Sequence, residues 1–225
     1  MIKLGHRGAK GHIAENTIES IQKGISLKMN GFEIDVHKCK TGEIVVHHDF
    51  MLDRTTNGQG EITTTPFSVI KGLLVEGKYK IPTLEAVLDL VTHDLIINIE
   101  LKGIGTAKAT AAIVKHYIDS AKIENHQIIV SSFQKTELLE ISQISPNLQL
   151  GVLTQASVTE ALSFAIKIKA YSIHPNFTIL SPANVVKAQQ LGFKVFTWTV
   201  NEKRDILRMK DYKVDGIISD FPDRL

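Results

Sequence analysis

A chain of 225 residues with 43% hydrophobic content is long enough to bury a large core, and its length is that of a single α/β barrel domain. Its 26 basic and 24 acidic residues leave a formal charge of +2, too balanced to point to nucleic acid or a membrane surface as the partner. The single cysteine, Cys39, excludes an intrachain disulfide and suits a reducing compartment.

The first residues, Met1 to His6, show no basic region followed by an apolar one. No secretory signal is therefore expected, and the expected home is the cytoplasm. No apolar run approaches the roughly 18 residues needed to span a bilayer. Ile2–His6 reads as a first short strand. Asn16 then suits a helix N-cap, with Glu19 three residues on as in a capping box. Ile18, Ile21, Ile25 and Met29 give that helix one apolar face. The second strand is Gly31–Val36, and a short strand follows at Glu43–Val46. A polar stretch from Asp53 to Gly60 and a segment through Tyr79 then break the rhythm before a helix at Thr83–Leu90. This predicts an insertion at approximately residues 50–80, placed over the active-site face of a barrel.

Beyond the insertion, strands are expected at Asp94–Leu101, Gln127–Phe133, Leu148–Leu153, Ala170–His174, Lys194–Val200 and Asp215–Ser219. Helical patterns separate them at Thr106–Ile118, Lys135–Ile144, Val158–Ile168, Pro182–Leu191 and Glu202–Met209. Alternation of this kind implies parallel β-α units, and eight main strands suffice for an α/β fold of the (β/α)8 TIM-barrel type. The whole chain, residues 1–225, is then one domain. An open doubly wound sheet is the alternative, but no glycine-rich dinucleotide fingerprint follows the first strand. The eighth strand ends close to Leu225, so the closing helix is expected to be short or missing.

The strongest local signal for chemistry is Gly31-Phe32-Glu33-Ile34-Asp35-Val36. Residues two apart in a strand share a face, so Glu33 and Asp35 project together while Phe32, Ile34 and Val36 cover the other side. Two carboxylates facing a barrel interior repel each other and lose solvation, and a divalent cation removes that conflict. Hard carboxylate oxygens suit Mg²⁺ or Ca²⁺; solvated acids on a rim are the plainer reading. Glu100 and Lys102 share a face near the end of the third main strand, where barrel catalytic residues collect. Glu100 can complete a three-carboxylate site and Lys102 can oppose a phosphate, or the two can be a structural ion pair.

His6 ends the first strand and precedes Arg7-Gly8, while His47-His48-Asp49 ends the short strand. Two histidines reaching one cleft can serve as general base and general acid, and Arg7 offers a planar fork for phosphate oxygens. His12, His93, His116 and His126 read as surface or loop residues. His37 can face inward without a clear role, and His174 is a rim candidate. Cys39 has no activating neighbour and reads as structural.

Three blocks of this sequence together resemble the glycerophosphodiester phosphodiesterase family. They are His6-Arg7-Gly8 with Glu15-Asn16-Thr17; Glu33-Ile34-Asp35-Val36 followed by Val45-Val46-His47-His48-Asp49; and Ile99-Glu100-Leu101-Lys102. Weaker matches lie at Ser132-Phe133, Trp198-Thr199-Val200-Asn201 and Asp215-Gly216-Ile217-Ile218-Ser219-Asp220, in family order along nearly the whole chain. The resemblance implies His6 and His48 as the acid–base pair, Glu33, Asp35 and Glu100 as ligands of one divalent cation, and Arg7, Lys102 and Trp198 as substrate-binding residues. His48 is chosen over His47 because it directly precedes Asp49. Glu15 and Asn16 carry the family signature but read as structural, Asn16 as a helix cap.

One departure is Ala14, where the family usually has proline; its loss frees a backbone angle in that loop. The reaction implied is metal-dependent hydrolysis of a small-molecule glycerophosphodiester to glycerol 3-phosphate and an alcohol. Two other readings stay open: a phospholipase C-like or lysophospholipase D-like lipid phosphodiesterase, and a non-catalytic phosphodiester-binding barrel. No nucleic-acid partner and no stable membrane anchor are expected.

Overall fold

The structure, a computed structural model, describes residues 1–225. The chain opens with β1 (Ile2–Gly5), α1 (Ile18–Ser26) and β2 (Gly31–Lys38). β3 (Ile44–Val46) folds back antiparallel on the end of β2, pairing Val36 with Val46. The segment that follows carries α2 (Phe67–Ile70) and a two-stranded hairpin of β4 (Leu74–Val75) and β5 (Tyr79–Lys80). The regular alternation then resumes with α3 (Leu84–Leu88), β6 (Ile96–Leu101), α4 (Ala107–Asp119), β7 (Ile128–Ser132) and α5 (Lys135–Ile144). It continues through β8 (Gln149–Thr154), α6 (Val158–Ile168), β9 (Ser172–Pro175), α7 (Pro182–Gln190), β10 (Lys194–Thr197), α8 (Lys203–Asp211) and β11 (Gly216–Ser219).

Eight parallel strands run in the order β1, β2, β6, β7, β8, β9, β10, β11, and β11 pairs again with β1. The sheet is therefore closed, a (β/α)8 barrel rather than an open doubly wound sheet. Closure pairs the backbone groups that an open sheet leaves at its edges. The final element is a single 3-10 turn, Pro222–Arg224, so the closing helix is reduced to that turn, with Leu225 buried behind it.

Side-chain alternation divides the apolar residues into two bodies. Phe32, Ile34 and Val36 of β2 point outward into the sleeve between strands and helices, together with Ile97, Ile99 and Leu101 of β6. Leu4, Ile129, Phe196 and Ile218 form a separate plug inside the barrel. Large interior side chains need small neighbours: a Cβ on Gly151 would lie 2.6 Å from the His174 ring, and one on Gly216 would lie 2.4 Å from Phe196. The segment after β3 has its own small core of Ala14, Cys39, Val45, Leu52, Ile62, Ile70, Val75 and Ile81. Ala14 therefore packs into that core, and its carbonyl accepts from Thr17 Oγ1 at 2.8 Å, which holds the loop that lacks proline.

The start of α1 differs from the sequence expectation. Thr17, with extended backbone at φ −112°, is the N-cap, and its hydroxyl accepts from Ser20 N at 3.1 Å. Asn16 has φ +58° and so does not take the extended backbone of a cap. Its side chain turns instead to Asp35.

Candidate active site

β2 and β6 lie side by side with Glu33 opposite Asn98 and Asp35 opposite Glu100. All four side chains are buried, and they point inward while their apolar neighbours point to the helices. One oxygen from each of Glu33, Asp35 and Glu100 lies within 4.8 Å of the others. His6 and Arg7 leave the end of β1, and the main chain of Arg7 turns at φ +50° so that its N–H donates to Glu33 Oε2 at 3.0 Å. Gly8 follows at φ +88°; a Cβ there would meet Ser20 at 2.6 Å, so only glycine lets this loop lie against α1.

Asp35 is gripped from three sides. Asn16 Nδ2 donates to Oδ2 at 2.9 Å, and Asn16 Oδ1 accepts from the Asp35 amide at 3.2 Å. Arg7 Nε lies 3.1 Å from Oδ2, within ion-pair distance but out of line for a hydrogen bond. Lys102 Nζ is 3.7 Å from Oδ1, 2.9 Å from Glu100 Oε1 and 3.1 Å from His48 Nε2. The Arg7 guanidinium also binds Glu15 Oε1 at 2.7 Å.

The two cavity-facing histidines share one arrangement. His6 Nδ1 is 2.6 Å from Asp220 Oδ1, and His48 Nδ1 is 2.6 Å from Asp49 Oδ1. A carboxylate at Nδ1 keeps the proton there and leaves Nε2 as the working atom. His6 Nε2 points toward Glu33, 3.9 Å away. His47 turns away and binds the Met51 carbonyl at 3.3 Å. His37 is buried, with Nε2 on the His48 carbonyl at 3.1 Å. His174 is not at the rim: it is fully buried inside the barrel with Nε2 2.8 Å from Ser172 Oγ. His12, His93, His116 and His126 are exposed.

These groups line a cavity of about 320 Å³ at the C-terminal mouth of the barrel, bounded by His6, Arg7, Glu33, His48, Asn98, Glu100, Lys102, Phe133, Leu153, Gln155, Trp198, Thr199 and Ile218. Trp198 donates through Nε1 to the His174 carbonyl at 2.7 Å and meets Phe133 edge-on at 5.5 Å. The two rings form an apolar wall facing the charged half. A larger groove of about 440 Å³ between α4 and α5 lacks such a convergence of acids and histidines.

The electrostatics of the site are unbalanced. Burial, reinforced by Asp35 and Glu100, pushes the Glu33 carboxyl well above its usual range. Burial, with Asp35 next to it, pushes Glu100 up to about 7 despite Lys102. Burial opposes ionisation of Asp35 as well, but Arg7, Lys102 and His48 outweigh it and hold that carboxyl below its usual range. Both histidines are lowered, chiefly by burial, against the pull of Asp220 on His6 and of Asp35 and Asp49 on His48. Glu33 Oε1 and Asn98 Oδ1 are buried without a hydrogen-bond partner. Three hard oxygen donors, two of them reluctant to ionise, and two orphaned oxygens beside one cavity fit a divalent cation.

Every residue named from the sequence, His6, His48, Arg7, Lys102, Trp198, Glu33, Asp35 and Glu100, comes together around this site, all but Asp35 on the cavity wall itself. Two further residues join the site, Asp220, which sits in the last matched block without an expected role, and Asn98, which shares inward parity with Glu100. Thr199 lies in the matched block that begins at Trp198, whereas Gln155 carries no signal beyond lying just past a strand end.

The model described as the glycerophosphoryl diester phosphodiesterase family matches residues 6–224. A glycerophosphodiester phosphodiesterase of Caldanaerobacter subterraneus subsp. tengcongensis is 35% identical over 235 residues, covering 99% of this chain and 95% of its own. One from Bacillus subtilis is 32% identical over 247 residues, covering 99% of this chain and 84% of its own. The crystal structure of a glycerophosphodiester phosphodiesterase from Thermotoga maritima matches with a TM-score of 0.82 at 29% identity, over 99% of this chain and 96% of that one. An Oleispira antarctica phosphodiesterase, solved in complex with the product sn-glycerol-3-phosphate, shares the fold at a TM-score of 0.91 and 24% identity, over 100% of this chain and 94% of that one. This chain belongs to the glycerophosphoryl diester phosphodiesterase family.

Proposed function

We propose that this protein is a metal-dependent glycerophosphodiester phosphodiesterase that releases glycerol 3-phosphate and an alcohol. The observation that carries the reading is one cavity in which two imidazoles, each tied through Nδ1 to its own carboxylate, flank three buried carboxylates. In this reading residues 1–225 act as one barrel domain that carries an insertion at approximately 50–80. No helix is long and apolar enough to cross a membrane. A cytoplasmic setting is part of the reading and rests on the single buried cysteine.

Glu33, Asp35 and Glu100 are the residues that would hold the cation, Mg²⁺ or Ca²⁺, which when bound supplies positive charge against a phosphate oxygen. Lys102 and Arg7 stand beside that position and add fixed charge toward the phosphate. The nucleophile is water or the glycerol hydroxyl next to the phosphate; in the second case the alcohol leaves first, and water then opens the resulting cyclic glycerol phosphate, the two imidazoles exchanging roles, to give glycerol 3-phosphate. One imidazole accepts the nucleophile's proton through Nε2 as the new P–O bond forms. The bond from phosphorus to the departing alcohol breaks with its electrons on oxygen, and the second imidazole protonates that oxygen. Asp220 and Asp49 hold the rings in position and stabilise whichever is cationic. Trp198 and Phe133 wall the apolar side of the cavity.

The purified protein, given Mg²⁺ or Ca²⁺, is expected to release glycerol 3-phosphate from glycerophosphocholine, and chelation is expected to abolish release. His6→Ala and His48→Ala are each expected to lower kcat by roughly 10²–10⁴-fold. Near wild-type turnover in either variant would overturn the acid–base assignment, and absence of turnover with any divalent cation would overturn the activity.

One observation favours a second reading, a lysophospholipase D-like lipid phosphodiesterase. Phe50, Met51, Ile104 and Phe133 are exposed large apolar residues in the loops after the strands that carry His48, Lys102 and the cavity wall. Comparing turnover of glycerophosphocholine with that of lysophosphatidylcholine micelles decides between the two.

A further inference from the structure

We propose that Arg54, in the insertion, is a positioning residue that ties the His48 side of the cavity to the Arg7 side. The inference rests on the catalytic reading of His48 above. Its guanidinium engages two carboxylates at once. Nε and Nη2 fork onto Asp49, with Nη2 3.0 Å from Oδ1, while Nη2 also lies 2.7 Å from Glu15 Oε1 and Nη1 3.4 Å from Oε2. Asp49 is the carboxylate that holds His48 Nδ1, and Glu15 is the one that holds the Arg7 guanidinium. A continuous chain of charge-assisted contacts therefore runs His48, Asp49, Arg54, Glu15, Arg7, Asp35.

The turn that presents Arg54 is itself fixed. Leu52 is buried in the insertion's core, its carbonyl accepts from Thr56 Oγ1 at 2.7 Å, and Asp53 Oδ2 accepts from Gly60 N at 3.0 Å. The Arg54 fork, with His48, holds the Asp49 carboxyl below its usual range, so Asp49 remains an anion facing the imidazole. A half-exposed ion pair is by itself worth little to stability. The value of this one lies in geometry, because a planar fork orients a carboxylate in a way that a single ammonium cannot. Small misplacement of a reacting group is enough to lower turnover by about 10²-fold.

The test is Arg54→Ala and Arg54→Lys, assayed with glycerophosphocholine and the divalent cation. Both are expected to lower kcat about 10- to 100-fold with KM changed less than about threefold. Added guanidinium is expected to restore several-fold activity to Arg54→Ala, since the half-exposed side chain leaves an accessible gap. The His48 Nδ1–H resonance, followed by ¹⁵N NMR, is expected to shift or broaden in Arg54→Ala while that of His6 stays in place. Turnover within twofold of wild type overturns the proposal. So does a loss of activity that guanidinium leaves unrescued and that comes with lowered melting temperature. If the wild-type protein turned over no glycerophosphodiester, the catalytic reading would fail. The His48 resonance would still judge Arg54, and an unmoved signal would overturn the coupling.

Discussion

His6 and Asp220 stand at opposite ends of the chain, yet their side chains meet at 2.6 Å because β1 and β11 are the strands that close the barrel. Asn201 fixes Asp220 in turn, donating to Oδ2 at 2.8 Å. His6 keeps the Asp220 carboxyl down at about 2 even though burial works against its ionisation. The carboxylate is therefore an anion across the neutral range and can hold His6 with its proton on Nδ1. Asp220→Asn keeps the shape and removes that charge. It is expected to lower kcat by about 10²–10⁴-fold with KM nearly unchanged, measured by steady-state kinetics on glycerophosphocholine. A fall confined to KM would place Asp220 in substrate binding instead. Asp35 shows the same dependence on distant residues: Asn16 holds it at both the carboxylate and the amide, a role hidden behind its suitability as a cap.

At the scale of elements, α4 is capped by a residue of α5. Thr106 stands at its N-cap position with helical backbone and caps nothing, while buried Glu137 accepts from Gly105 N at 2.7 Å, Ala107 N at 2.9 Å and Thr106 Oγ1 at 3.1 Å. A carboxylate at a helix N-terminus meets both the free amides and the positive end of the dipole. Glu137→Ala leaves the Gly105 and Ala107 amides without their acceptor, while Thr106 Oγ1 keeps the Gly103 carbonyl at 2.7 Å, and is expected to destabilise the fold by about 1–3 kcal/mol, read as a lower urea midpoint. Glu137→Gln, which can still accept, is expected to lose less. The insertion is built on the same principle of mutual support. Its small core includes Ala14 from the loop after β1, so the His6 loop and the His48 loop are packed against one body.

The whole barrel carries a pH dependence of its own. His174 sits inside it, and burial lowers its imidazole to about 3. In the unfolded chain the same group titrates near 6.5, so between those values the unfolded state binds a proton that the folded state does not. His174 leaves stability untouched above pH 6.5 and erodes it as pH falls through the window, by up to about 1.4 kcal/mol per pH unit. His37, lowered by burial to about 4, acts in the same direction. His174→Gln is expected to flatten the decline, and denaturant titrations of both proteins at pH 7 and pH 5 measure it. Equal losses in the two proteins would show that His174 does not titrate on unfolding. The reaction window is separate, because it depends on groups at the mouth and on the cation.

Much of the architecture was legible because strand and helix periods are local properties. The eight barrel strands lie within three residues of the predicted spans, and the parity of Glu33 and Asp35 against Phe32, Ile34 and Val36 was readable directly. The ordered blocks then named eight residues that the fold gathers around one cavity. Local pattern therefore supplied the barrel strands, the helices between them and the inward face of β2, but not α2 or the β4–β5 hairpin of the insertion, and the ordered blocks supplied the family. The folded chain alone shows that β1 and β11 close the ring, that Asp220 reaches His6, that Asn16 reaches Asp35 and that Arg54 reaches Asp49 and Glu15; His48, already preferred to His47 from the Asp49 that follows it, is the one on the cavity wall. The physical reason is range. Periodicity is set by neighbours along the chain, whereas a hydrogen bond between ends of the sequence exists only once the barrel has closed.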